Sequence, residues 1–145
     1  MTRELYVKLG SKCNCMNIRQ ASLAITHVYN GFLAPSGLLI SQYSVLKHIN
    51  HLGPISVSNL AVKMKLDRTS LVRNLKLLED RGFILDLAAS GARNRQLKLT
   101  DAGATSLAIA EPFWLEAQNY LEQYLGIDDR KTLTSLLLKI MALVP

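Results

Sequence analysis

Apolar residues recur along the chain at intervals of three and four, and the phase is reset at points rich in glycine or proline. Ala21, Ile25, Val28, Tyr29 and Phe32 form one such stripe and predict a helix over about 14–33. Ala34-Pro35-Ser36-Gly37 breaks it. A second helix is predicted from Ser41 as N-cap, with Val45, Leu46 and Ile49 inward, ending at Leu52-Gly53-Pro54. Ser56 then caps a short helix that turns Val57, Leu60, Ala61 and Met64 inward, and Lys65 and Leu66 form a turn. Asp67 caps the next helix. Its Leu71, Leu75 and Leu78 share one face, and Gly82 stands just past its end.

Beyond Gly82 the period shortens. Residues 84–87 and 95–99 read as two short strands around a basic tip at 88–94. Thr100 or Asp101 caps a long helix reaching about 125, which Pro112 should bend or split. Residues 126–129 break the chain again. A last helix over 130–143 carries Leu133, Leu136, Leu137, Ile140 and Met141, with Val144 beyond them. The order predicts a mainly α (α+β) fold: one domain over 1–145, with a winged helix-turn-helix at about 38–99. Helices over about 13–34 and 100–145 flank it with more apolar surface than the middle can cover.

Composition sharpens this picture. Hydrophobic residues make up 49% of the 145 positions but aromatics only 6%, so the core is aliphatic and suits helices. No apolar run reaches the roughly 18 residues that cross a bilayer, and the N-terminus lacks a signal-type stretch, so a cytoplasmic protein without a membrane partner is expected. The net charge is +6. Between Ser56 and Lys98 lie Lys63, Lys65, Arg68, Arg73, Lys76, Arg81, Arg93, Arg95 and Lys98 against Asp67, Glu79, Asp80 and Asp86. Nearly all the surplus positive charge therefore falls in the central segment, as a footprint for phosphate requires.

The helix opened by Asp67 turns Arg68, Thr69, Ser70, Arg73, Asn74 and Lys76 away from its leucine stripe. Arginine can take guanine edges bidentately, asparagine can take adenine, and a threonine methyl can touch thymine. In a helix-turn-helix the second helix enters the major groove with its N-terminal residues toward the bases. Ser56 and the hairpin arginines Arg93 and Arg95 complete the candidate DNA-binding set. The alternative is a winged-helix protein-interaction module without specific DNA binding.

The segment ISVSNLAVKMKLDRTSLVRNLKLLEDRGFI (55–84) resembles the helix-turn-helix of the MarR family of transcription regulators. RNRQLKLTDAG (93–103) resembles the second wing strand and the Leu-Thr-x-x-Gly start of the next helix, and residues 13–30 resemble a first dimerisation helix. The resemblance implies a homodimer, usually a repressor, whose two recognition helices reach successive major grooves of a palindromic operator. It places Ser70, Arg73 and Asn74 toward the groove and Arg93 in the minor groove. Two departures stand out. The acid that usually precedes the wing arginine is absent from Ser90-Gly91-Ala92, and Leu77 occupies a position that is commonly polar.

Relatives of this kind often respond to a small molecule or an oxidant. Cys13 and Cys15, with Lys12 and Arg19 close in sequence, are the candidate redox sensor; the opposing reading is two unreactive thiols near a dimer interface. Tyr29, Tyr43, Lys47 and Trp114 are the candidate effector pocket, though aromatics at such positions commonly belong to a core. His48 and His51 share a helix face, but two imidazoles fall short of a metal site, so no metal and no cofactor are expected. The expected partners are double-stranded DNA, a second copy and a small-molecule effector. No phosphate loop, nucleophile elbow or HExxH is present, which argues against an enzyme.

Overall fold

In the computed structural model, which describes residues 10–88 and 95–145, helix α1 (Asn14–Leu33) leads into a 3-10 turn at Ala34–Ser36. Gly37 closes that turn in the left-handed region, at φ 75°. Of α1 only Tyr29 and Leu33 are buried; its C-terminal half packs on the chain, while residues 14–24 are almost all exposed.

Helix α2 (Ile40–Leu52) does not start on Ser41. Its first turn is capped from two other places: Gln42 Oε1 accepts from Leu39 N at 3.0 Å, and Asn30 Oδ1 on α1 accepts from Ile40 N at 2.8 Å. Two amide oxygens thus satisfy backbone donors at the start of the helix, where a serine cap was expected. Helix α3 (Val57–Met64) begins as expected, with Ser56 Oγ accepting from Asn59 N at 3.1 Å. It ends at Lys65, which holds a left-handed φ of 53°. Helix α4 (Arg68–Asp80) buries Leu71, Leu75 and Leu78.

Strand β1 (Ile84–Asp86) pairs antiparallel with β2 (Leu97–Leu99), in the register Ile84 to Leu99 and Asp86 to Leu97. Both strands are shorter than predicted. A separate one-residue bridge comes from Ile55, which exchanges two backbone hydrogen bonds with Leu97, at 3.1 and 2.8 Å. The base of the wing is thereby fixed to the loop before α3.

Helix α5 (Asp101–Leu125) is capped by Thr100, whose Oγ1 accepts from Gly103 N at 3.0 Å. Pro112 does not split it; the 25 residues run as one helix. Gly126, at φ 82°, turns the chain into α6 (Ile127–Met141), which starts three residues earlier than predicted. The core gathers Leu33, Leu38, Val45, Leu46, Ile49, Leu60, Leu71, Leu75, Leu78 and Leu97, with Leu107 and Ala110 of α5. Helix α6 contributes nothing to it: Leu133, Leu136, Leu137, Leu138, Ile140 and Met141 are all exposed. Among the described residues no single helix is long and apolar enough to cross a membrane.

Candidate nucleic-acid interface

Asp67 and the leucine stripe together set the pose of α4. The Asp67 carboxylate accepts from Ser70 N at 2.9 Å, and this bond holds its pKa below the usual aspartate range. The anion sits at the positive end of the helix dipole and satisfies an orphan amide. With Leu71, Leu75 and Leu78 buried, rotation of the helix is fixed. Arg68, Thr69, Ser70, Arg73 and Lys76 are exposed, and Asn74 is half-buried at the edge of that face. The outer face therefore carries three cations, hydroxyls and an amide without an acid among them.

Behind α4, Arg68 Nη1 reaches Ser58 Oγ at 3.3 Å, a link between the two helices of the motif. Ser56, half-buried, spends its hydroxyl on capping α3. Leu77 is 54% exposed, so the apolar departure at this position does not serve packing within the chain.

The wing is held more tightly than its sequence suggests. Arg95 Nε donates to Asp86 Oδ2 at 3.1 Å, and its Nη2 is ion-paired with Glu79 on α4. Asp86 also accepts from the Gln96 and Ala88 amides, at 2.8 and 2.9 Å. Arg95, a candidate DNA contact, keeps about a third of its side chain exposed while its guanidinium pairs with Glu79 and Asp86 and ties the wing base to α4. The sequence did hold a signal for this, since Glu79 and Asp86 are two of the four acids in the basic segment. Arg93, with the rest of 89–94, lies outside the described residues.

The other candidates separate into two places. Cys13 and Cys15 are both exposed at the start of α1, where Ser11 Oγ accepts from Cys13 N at 3.0 Å. Tyr43, Lys47 and Trp114 come together at the seam of α2 and α5. The Tyr43 and Trp114 rings stack with centroids 5.8 Å apart, and Lys47 Nζ pairs with Glu111 at 3.0 Å. That hydrogen bond to Glu111 holds the Lys47 pKa above its ordinary value. The Tyr43 hydroxyl is buried with no hydrogen-bond partner among the described residues; burial raises its pKa, and the nearby Lys47 charge opposes that rise. Tyr29 stands apart, its hydroxyl donating to Gln118. Two clefts among the described residues have other linings. One, of about 490 Å³, is lined by His27, Val28, Gly31, Phe32 and Tyr120. The second, about 750 Å³, lies between the α3–α4 turn and the end of α6. His48 Nδ1 lies 2.7 Å from the Ser44 carbonyl, an ordinary intrahelical contact, and the described residues form no cluster of three metal-ligating side chains.

The sequence model of the MarR family matches residues 38–86, which run from the start of the motif through β1. A protein named as a transcriptional regulator for the hcr operon of Thauera aromatica is 30% identical over 105 residues. That match takes in 72% of this chain and 63% of the relative, so the chain spans less than two thirds of that protein. Among solved structures, the M. tuberculosis transcriptional regulator MosR in complex with DNA is 29% identical, with a TM-score of 0.77 over 92% of this chain and all of that one. The transcriptional repressor CouR bound to p-coumaroyl-CoA is 26% identical, with a TM-score of 0.80 over 90% of this chain and 92% of that one. A mainly helical winged helix with a two-stranded wing and N- and C-terminal helices is the fold shared with these structures. Residues 38–86 thus match the MarR family, and the fold around them is the one found in solved MarR-family transcription regulators.

Proposed function

We propose that the chain is a repressor that binds a palindromic operator as a homodimer. Residues 38–99 read DNA, and the helices over 13–34 and 100–145 join the two copies. One observation carries the reading: the N-terminal half of α4 is capped, locked by three buried leucines, and exposes Arg68, Thr69, Ser70 and Arg73. Arg73 and Asn74 lie one helical turn from Ser70 and supply base readout; Lys76 and Arg68 supply phosphate contacts. Arg93 enters the minor groove. Arg95 holds the wing in place through Glu79 and Asp86 rather than touching DNA itself. A two-fold partner is what a single recognition helix needs to read a palindrome, and the exposed leucines of α6 supply the surface for one.

Release comes from a small molecule or from oxidation. The seam of Tyr43, Lys47 and Trp114 offers a stacked aromatic wall, a cation and an unsatisfied hydroxyl. Repressor CouR, a relative of similar fold, binds an aromatic acyl thioester. The thiols of Cys13 and Cys15 are open to solvent, as a sensor requires.

Selection of bound sequences from a random duplex pool, at near-physiological salt and with or without mild peroxide, tests these readings together. An enriched palindrome supports the dimeric repressor. Loss of enrichment in peroxide, absent from a Cys13→Ser/Cys15→Ser variant, makes the thiols the sensor. A pool left unenriched would overturn specific reading in favour of a protein-interaction role.

A further inference from the structure

The C-terminal end of α4 is tied to the corner between α1 and α2 by one side chain, Arg81. Its Nη1 donates to the Gly37 carbonyl at 3.0 Å, across 44 residues of sequence. Its guanidinium lies over the Phe83 ring, 4.7 Å from the centroid. A planar guanidinium can donate in its own plane while stacking through its face, which a lysine ammonium cannot do.

Each end of this clamp is fixed in turn. Gly37 holds its left-handed φ of 75°, a backbone conformation that L side chains rarely adopt, so the carbonyl is presented from a position that favours glycine. Ser36 Oγ fastens the same corner to the end of α1, donating to Leu33 O at 2.6 Å and accepting from Leu38 N at 3.2 Å. On the other side, Phe83 N donates to Leu78 O at 3.0 Å, and Phe83 O accepts from Thr100 N at 3.0 Å. Gly103 of α5 packs so closely on the Phe83 carbonyl that a Cβ there would collide with it. Residues 81–83 thus join α4 to the α1–α2 corner and to the start of α5.

From this arrangement we infer that Arg81 is a positioning residue, which sets the angle of α4 against α1 and so the separation of the two recognition helices in a dimer. The inference rests on the DNA reading above for its consequence, but not for the clamp itself. Arg81 stands at the opposite end of α4 from its base-reading first turn, with one edge of its fork on Gly37 and one face over Phe83. A change at the α1–α2 corner, from either copy or a ligand, therefore has a direct lever on α4.

Two measurements on the full chain test it. The first needs no DNA. Spin labels at Leu23→Cys on α1 and Lys76→Cys on α4, in a Cys13→Ser/Cys15→Ser background diluted with unlabelled chain, report their distance distribution. The distribution should be narrow with Arg81 and clearly broader in Arg81→Ala and in Arg81→Lys, both of which should still melt cooperatively. An unchanged width in both variants overturns the clamp, whatever happens on DNA. The second compares a selected duplex with one carrying a single inserted base pair between half-sites. Arg81→Ala should weaken binding to the first roughly tenfold, the scale of one hydrogen bond with one exposed cation–π contact. It should also lose most of the preference for native spacing, with the salt dependence unchanged. Loss of about one unit from the salt slope with spacing preference intact would make Arg81 a phosphate contact and overturn the inference. A broadened distribution in a protein that prefers no duplex would leave the clamp standing and sink the DNA reading.

Discussion

At the scale of single residues, the side chains facing out from α4 and those holding it behave differently under mutation. Arg95→Ala removes a guanidinium shared by Glu79 and Asp86, each about two thirds buried. It should cost about 1–3 kcal/mol in urea unfolding, since two partly buried carboxylates lose their cation together. Tyr43→Phe should be neutral or stabilising by up to about 1 kcal/mol in the same measurement, because it deletes a buried hydroxyl without a hydrogen-bond partner among the described residues. If that hydroxyl instead binds an effector, the gain will come with weaker effector response. The pairing of Arg95 was not legible in composition, which counts charges without pairing them. Its partners lie 16 and 9 residues away and meet it only once the hairpin closes on α4.

At the scale of elements, most boundaries were legible because local chemistry sets them. Ser56, Asp67 and Thr100 cap α3, α4 and α5 as their side chains suggest. The start of α2 was not legible, since one of its caps is Asn30, on another helix and ten residues away. The bridge between Ile55 and Leu97 was hidden for the same reason: one residue long and remote in sequence, it leaves no periodicity. Pro112 lacks a donor at its position but leaves α5 continuous, because packing of Leu107, Ala110 and Ala117 holds both halves of the helix. The Asp67 cap has a pH signature. Its folded pKa is lowered, so its contribution is present above the ordinary aspartate value of about 3.9 and is lost as pH falls through the depressed value. Asp67→Ala should melt earlier than the parent at neutral pH, and the gap should close in strong acid. A gap that persists there would place the effect elsewhere.

At the scale of the whole molecule, α1, α5 and α6 expose apolar side chains that the winged helix does not cover. Leu136 is 53% exposed, Leu138 60% and Tyr124 64%. Their surplus was visible in the sequence as leucine spacing in a helix with no partner left to bury it. In a two-fold interface each side chain counts twice. Leu136→Glu should therefore raise the dimer dissociation constant by at least about a hundredfold, from roughly 1.5–3 kcal/mol per buried leucine. Sedimentation across a concentration series reads this directly, and operator binding should fall with the dimer. An unaltered dimer would move the interface away from α6.

The central claim is that the outer N-terminal face of α4 reads bases, and base-resolved affinity of Arg73→Ala tests it most directly. Every single-base variant of a selected operator would be titrated against parent and variant protein at one salt concentration. The account predicts a loss of roughly 1–3 kcal/mol and relaxed discrimination confined to one base-pair position in each half-site, symmetric about the dyad. Uniform weakening at all positions, or no change at any, would contradict it.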